Sequence, residues 1–104
     1  MSSIVKDSNR IVFKNMQQFR VGRGIRIFRC GRIHMTQQQL ADKLDLELCD
    51  FDKLEQGYEP EVDRSILLSI AQLAGVCQRG TGLSDEMLLD LFLYATEDAP
   101  PEIP

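Results

Sequence analysis

Apolar positions between residues 35 and 57 fall into two short runs with helical spacing, separated by a break at Asp45. Thr36 precedes the first run as a good N-cap residue, and Gln39 is placed to complete a capping box with it. Gly57 follows the second run, where a residue in the left-handed conformation commonly ends a helix. The pattern therefore predicts two short helices joined by a tight turn.

Farther along the chain, apolar positions predict a helix over residues 65–74 and a last helix over residues 85–95. The last helix is apolar nearly all round, whereas a surface helix needs only one apolar stripe. A homodimer is one way to bury its second side. The residues assigned to that interface are Met87, Leu88, Leu91, Phe92 and Tyr94. The alternative is that the N-terminal segment folds back over the helix. Its apolar residues are Ile11, Val12, Phe13 and Met16.

The two short helices and their surroundings resemble the phage-repressor type of helix-turn-helix, also called Xre-like or lambda-repressor-like. The matching residues are Thr36, Gln37, Leu40, Ala41, Leu44, Leu46, Phe51, Leu54, Glu55, Gly57, Leu67, Leu68, Ile70, Ala71, Gly75 and Val76. Residues 21–29 look like the first helix of that family. The resemblance implies an all-α fold, a compact five-helix repressor-like helix-turn-helix domain, here with a C-terminal hydrophobic helix. It also implies binding to operator DNA, usually as a dimer, with the third helix in the major groove.

The resemblance also places five residues at the positions that read bases, namely Glu47, Leu48, Cys49, Asp50 and Lys53. To these the sequence adds further candidate DNA contacts, namely Arg32, Gln37, Gln38, Gln56 and Tyr58. We expect the amide of Gln37 to donate to a phosphate oxygen, and Lys53 to reach towards the groove or the backbone. Glu47 or Asp50 is suited to accept a hydrogen bond from a cytosine N4 amine.

Other matching positions concern the fold. Arg29 and Glu55 stand where members of the family form an ion pair, so we expect a partly buried pair that holds the first helix to the third. Two features depart from the family pattern. The loop of residues 30–34 looks one residue longer, and Asp45 stands where a glycine is common.

Charge divides sharply along the chain. Residues 1–34 hold eight Lys or Arg and one acid, whereas residues 35–104 hold four basic and fifteen acidic residues. The net charge of −4 therefore hides a basic N-terminal part. Five arginines recur there every three residues, namely Arg20, Arg23, Arg26, Arg29 and Arg32. Such a stripe is suited to lie along a DNA backbone, or to pair with the acidic part of the same molecule.

Three functional interpretations follow. The favoured one is a sequence-specific double-stranded DNA-binding transcriptional regulator, a dimeric protein of the repressor type. The second is a protein-interaction module on the same fold, because the third helix carries four acids between residues 47 and 55 against the single Lys53. Its acidic surface then binds a basic protein partner. The third keeps DNA binding but assigns it to the basic N-terminal segment, with the two short helices as a scaffold.

Length and composition predict one domain with four parts. Residues 1–12 are expected to be loosely ordered, and residues 13–78 to form the helix-turn-helix domain. Residues 79–95 then hold the C-terminal helix, and residues 96–104 form a disordered acidic, proline-rich tail.

Catalytic chemistry finds no support in the sequence. There is no glycine-rich phosphate loop, only one histidine is present, and Cys30, Cys49 and Cys77 lack metal-ligand spacing. We therefore expect neither an enzyme nor a metal or cofactor site. No apolar stretch is long enough to cross a membrane and no secretion signal is evident, which predicts a cytoplasmic protein. The resemblance implies that it is bacterial or phage-encoded.

Overall fold

The computed structural model describes residues 10–77 and 82–98, with side chains up to residue 95. The elements in chain order are β1 (Arg10–Val12), α1 (Gln17–Phe28), a π-helical turn (Arg29–Ile33), α2 (Gln37–Lys43), α3 (Leu48–Gln56), β2 (Glu61–Asp63), α4 (Arg64–Leu73) and α5 (Asp85–Asp98). The described part is therefore mostly helical, as predicted. No helix in it is both long and apolar enough to cross a membrane.

The prediction of an all-α fold is wrong in one detail, since β1 and β2 form a short antiparallel sheet. Ile11 lies opposite Val62 in this sheet, and both side chains are buried in the core. Pairing with β2 orders residues 10–12, which lie in the segment expected to be loose. The sheet extends one step further through a hydrogen bond from the Phe13 amide to the Pro60 carbonyl (3.0 Å).

Helix α1 lies at the centre of the molecule. Its residues Val21 and Ile25 are fully buried. Two glycines let other helices approach its backbone closely. A Cβ atom on Gly22 would lie 2.7 Å from the Leu54 carbonyl oxygen, and one on Gly24 would collide with the backbone carbonyl of Phe92. The backbone of α1 thus packs closely against the backbone of α3 on one side and against that of α5 on the other.

Helix α5 packs into the core of its own molecule. Leu88 and Phe92 are fully buried, and the rings of Phe28 and Phe92 lie 5.2 Å apart between centroids. The prediction that these two residues belong to a dimer interface is therefore wrong, because α1 and α4 cover that side of the helix. Met87 and Tyr94 remain exposed, and Leu91 is half-buried.

The N-terminal segment was the alternative candidate for covering α5, and it packs in another way. Ile11 and Phe13 are buried, but they enter the core through the β1–β2 sheet, while Val12 and Met16 are 60% and 65% exposed. The main contacts of α5 are with α1 and α4. The sequence thus predicted an apolar helix correctly, but it did not predict that α1 and α4 cover one side of it.

The loop of residues 30–34 and Asp45, which stand out in the sequence, each take a defined form. The loop lies largely in the π-helical turn, which closes with hydrogen bonds from the His34 and Met35 backbone amides to the Arg29 carbonyl (2.7 and 3.2 Å). Asp45 adopts a left-handed conformation with φ of 62°. This is the conformation that glycine adopts most readily, and aspartate tolerates it better than most residues do.

Candidate functional site

Helices α2 and α3 form a compact pair joined by a short turn. The predicted capping box is present: the Gln39 amide donates to Thr36 Oγ1 (3.1 Å), and the Thr36 amide donates to Gln39 Oε1 (3.0 Å). Leu40 and Phe51 are fully buried between the helices and the core. Gly57 ends α3 with φ of 83°, as the sequence predicted. The local sequence signals thus fix both ends of the pair.

Arg29 and Glu55 form the predicted ion pair. Arg29 Nε donates to Glu55 Oε2 (2.6 Å) and Arg29 Nη2 to Glu55 Oε1 (3.2 Å), with side chains only 11% and 4% exposed. Arg29 Nη1 also donates to the Met35 carbonyl (3.1 Å). The hydrogen bond and the charge of Glu55 raise the pKa of Arg29 against the opposing effect of burial. The bidentate geometry fixes α3 relative to the end of α1 and to the start of α2.

A second network ties up the side-chain amides of this region. Gln37 Nε2 donates to Asp52 Oδ1 (3.1 Å) and to Glu55 Oε1 (3.0 Å), and Gln56 Nε2 donates to Asp52 Oδ2 (2.7 Å). Gln38 Nε2 donates to Asp42 Oδ1 (2.8 Å). The amide donor of Gln37 that was expected to bind phosphate is therefore engaged by two carboxylates, and a new partner would have to replace them.

Asp52 is the acceptor that joins this network. Hydrogen bonds from Gln56 and then Gln37 hold the pKa of its carboxyl group below the ordinary value of 3.8, and the charge of Arg26 acts in the same direction. The carboxylate is therefore fully ionised at neutral pH. The sequence pattern gave no role to Asp52 beyond its charge, because its two amide partners come from different helices.

The outer face of α3 is open, and most of its charged groups are acidic. The predicted contact residues on it and around its ends are all exposed, namely Glu47, Leu48, Cys49, Asp50, Lys53, Gln56 and Tyr58. Leu48 is 40% exposed and Tyr58 68%. The structure thus brings these predicted residues to one region of the surface. A single positive charge there, Lys53, stands against three carboxylates, including Asp52 at the edge.

Arginines of the basic stripe lie in different environments. Arg26 is exposed and lines a shallow depression of about 490 Å³ together with Arg29 and residues of α2 and α3. Those residues are Thr36, Gln37, Gln38, Leu48 and Asp52. Arg32 is turned away from this depression, since its Nη1 donates to the Ala74 carbonyl at the end of α4 (3.4 Å). Arg26, which the sequence-based set did not include, therefore lies nearer the α2–α3 surface than the predicted Arg32.

No candidate metal site is found among the described residues. The described residues contain no group of three His, Cys, Asp or Glu side chains arranged to hold a metal ion. The three cysteines are free thiols, with Cys30 and Cys49 exposed.

Comparison with protein-family models, with curated proteins and with solved structures gave no match for this chain.

Proposed function

We propose that this chain is a sequence-specific double-stranded DNA-binding regulator of the repressor type, with α2 and α3 as its helix-turn-helix and α3 in the major groove. The observation that carries the proposal is the position of Arg26. This arginine lies on α1, yet it lines the same depression as Gln38 on α2 and Leu48 on α3. A cationic side chain beside an exposed helix is the arrangement that phosphate contacts require on either side of a groove.

The negative charge on α3 opposes DNA binding in this arrangement. Three carboxylates near the groove repel phosphate, so most of the favourable electrostatic energy must come from arginines beside the helix. Arg23 and Arg26 on α1 are both exposed. Because each phosphate contact releases counterions, we expect modest affinity that falls steeply as salt rises.

Outward-facing side chains of α3 supply the base contacts in this proposal. Lys53 is the exposed donor suited to guanine O6 and N7, and Leu48 is suited to the thymine methyl group. Glu47 or Asp50 retains the assignment to a cytosine amine. Gln37 acts instead by joining α2 to Asp52 of α3, and Gln56 donates to the same carboxylate from within α3.

Fluorescence anisotropy with a pool of labelled duplexes, at low and near-physiological salt, tests the proposal. Arg26→Glu should weaken binding, and the loss of one phosphate contact lowers the salt slope by about 0.9. Lys43→Glu is the matched control, because it makes the same charge change at the far end of α2, where Lys43 lies beside α4. This docking mode is rejected if the wild-type protein and both variants bind DNA with equal affinity. It is also rejected if Arg26→Glu and Lys43→Glu weaken binding equally. Lys53→Glu should in addition weaken the preference among duplexes.

A second candidate function rests on the acidic surface of α3. With Asp52 ionised and Glu47 and Asp50 exposed, that surface is suited to a basic protein partner rather than to DNA. Asp50→Lys separates the two candidates, because the Asp50 carboxylate is exposed and its only described polar contact is a long one with the Cys49 thiol. The change should strengthen nonspecific duplex binding if α3 faces DNA. It should weaken binding of a basic partner if α3 faces protein.

The predicted homodimer stays a prediction of the sequence. Of the five residues assigned to its interface, Leu88 and Phe92 serve the core of one molecule, so only Met87, Leu91 and Tyr94 are available to another chain.

A further inference from the structure

The outer face of α5 carries an apolar stripe that the core does not use. Met87 and Tyr94 are 52% and 57% exposed, and Leu91 lies between them, half-buried. Their spacing of four and then three residues places them on one line along the helix, as in the seam of a two-helix coiled coil. The opposite side of α5 is anchored through Leu88 and Phe92, so the stripe is held in place before any partner arrives.

One edge of this stripe is acidic. Glu86 and Asp90 are both exposed, and at four residues apart they follow one side of the line through Met87 and Leu91. Leu88 and Ala95, seven residues apart, fall on the opposite edge, and Leu88 is buried there in the core. Helix α5 contains no lysine or arginine at all. The stripe therefore presents apolar contact along its centre and negative charge along a single edge.

The acids on this edge favour a partner of opposite charge over a second copy of the chain. In an antiparallel pair related by a two-fold axis, equivalent edges face each other, which places Glu86 and Asp90 against the same two acids of the other molecule. In a parallel pair they face the edge of Leu88 and Ala95, which offers no positive charge. Neither arrangement gives the acids a partner, and like charges across a helix pair select against it.

We propose that the outer face of α5 binds an amphipathic helix from another protein, with apolar residues spaced by four and three and with lysine or arginine along one edge. Helix α5 has 14 residues, so a matching partner helix has about three to four turns. The proposal does not rest on DNA binding, since it shares no residue with the α2–α3 surface.

A synthetic 14-residue helical peptide with a leucine seam and lysines along one edge is the probe, and the same peptide with glutamates in place of the lysines is its control. We expect the full-length protein to bind the lysine peptide about tenfold more tightly at low salt, from two exposed charge pairs. Tyr94→Ser combined with Met87→Ser should abolish binding of both peptides. Glu86→Lys combined with Asp90→Lys should reverse the preference between them.

The matched control is Glu47→Lys combined with Asp50→Lys, which makes the same charge change on α3 and should leave the preference as it is. Methyl NMR of the wild-type protein gives a second readout that needs no variant. The lysine peptide should shift the Met87 methyl signal and leave those of Met16 and Met35 in place. The proposal is wrong if the two peptides bind equally, if neither binds, or if sedimentation shows a homodimer that Tyr94→Ser dissociates.

Discussion

Arg29 Nε lies 2.6 Å from Glu55 Oε2, in a contact that joins the end of the central helix to the last turn of α3. Because both side chains are almost wholly buried, either charge left alone would be poorly solvated. We expect Arg29→Met or Glu55→Leu to reduce the free energy of unfolding by about 3–5 kcal/mol. Urea unfolding followed by circular dichroism measures this loss.

The double variant separates the energy of the pair from the cost of an unpaired charge. Arg29→Met with Glu55→Leu should cost clearly less than the sum of the two single changes, since no buried charge then lacks a partner. Additive losses would show that the two side chains act independently.

Asp52 should titrate below its ordinary pKa of 3.8 in the folded protein, because two amides donate to its carboxylate. A carboxyl group with a lowered folded pKa stabilises the protein above its unfolded pKa, and this contribution is lost as pH falls through the folded pKa. Carboxyl-carbon NMR measures the titration directly. Gln56→Ala should raise the pKa of Asp52 more than Gln37→Ala does, following the larger effect of the Gln56 hydrogen bond. An Asp52 pKa at or above 3.8 in the wild-type protein would contradict the described network.

Asp45→Gly should stabilise the turn between α2 and α3. The backbone of Asp45 has φ of 62°, which costs free energy for any residue with a Cβ atom. We expect a gain of about 1 kcal/mol in thermal or urea unfolding. Lys43→Gly, two residues earlier at the last residue of α2, should instead give no gain and lose at most about 0.5–1 kcal/mol, because glycine weakens a regular helix. A loss in both variants would mean that the turn does not depend on this conformation.

Phe92 and Tyr94 lie two residues apart on α5 and should differ greatly in their effect on stability. Phe92→Ala removes a fully buried ring and should cost about 3–5 kcal/mol. Tyr94→Ala changes an exposed side chain and should alter the free energy of unfolding by roughly 0.5 kcal/mol or less. If both variants lose similar amounts of the free energy of unfolding, and if these losses depend on protein concentration, the Tyr94 side of α5 lies in a dimer instead.

Signals that act over a few residues could be predicted from the sequence. The capping box of Thr36 and Gln39 and the left-handed Gly57 depend on their neighbours in the chain, and both are present. The Arg29–Glu55 pair spans 26 residues, and only the family resemblance brought it into view.

Features that depend on tertiary placement could not be predicted in the same way. The apolar pattern of α5 shows that both sides of the helix favour burial, but it does not say whether α1 or another molecule buries them. A three-residue strand such as β1 pairs with residues about fifty positions away, so no local pattern marks it. The engagement of Gln37 by Asp52 likewise follows from how α2 meets α3.

Gly22 and Gly24 restrict which sequences can keep this arrangement. The atoms that a side chain at either position would meet belong to the backbones of α3 and α5, and every amino acid carries the same backbone atoms. A substitution at residue 54, 55 or 92 therefore cannot make room for a side chain at residue 22 or 24. Distant relatives with the same helix arrangement should keep both glycines even where the side chains around them have all been exchanged.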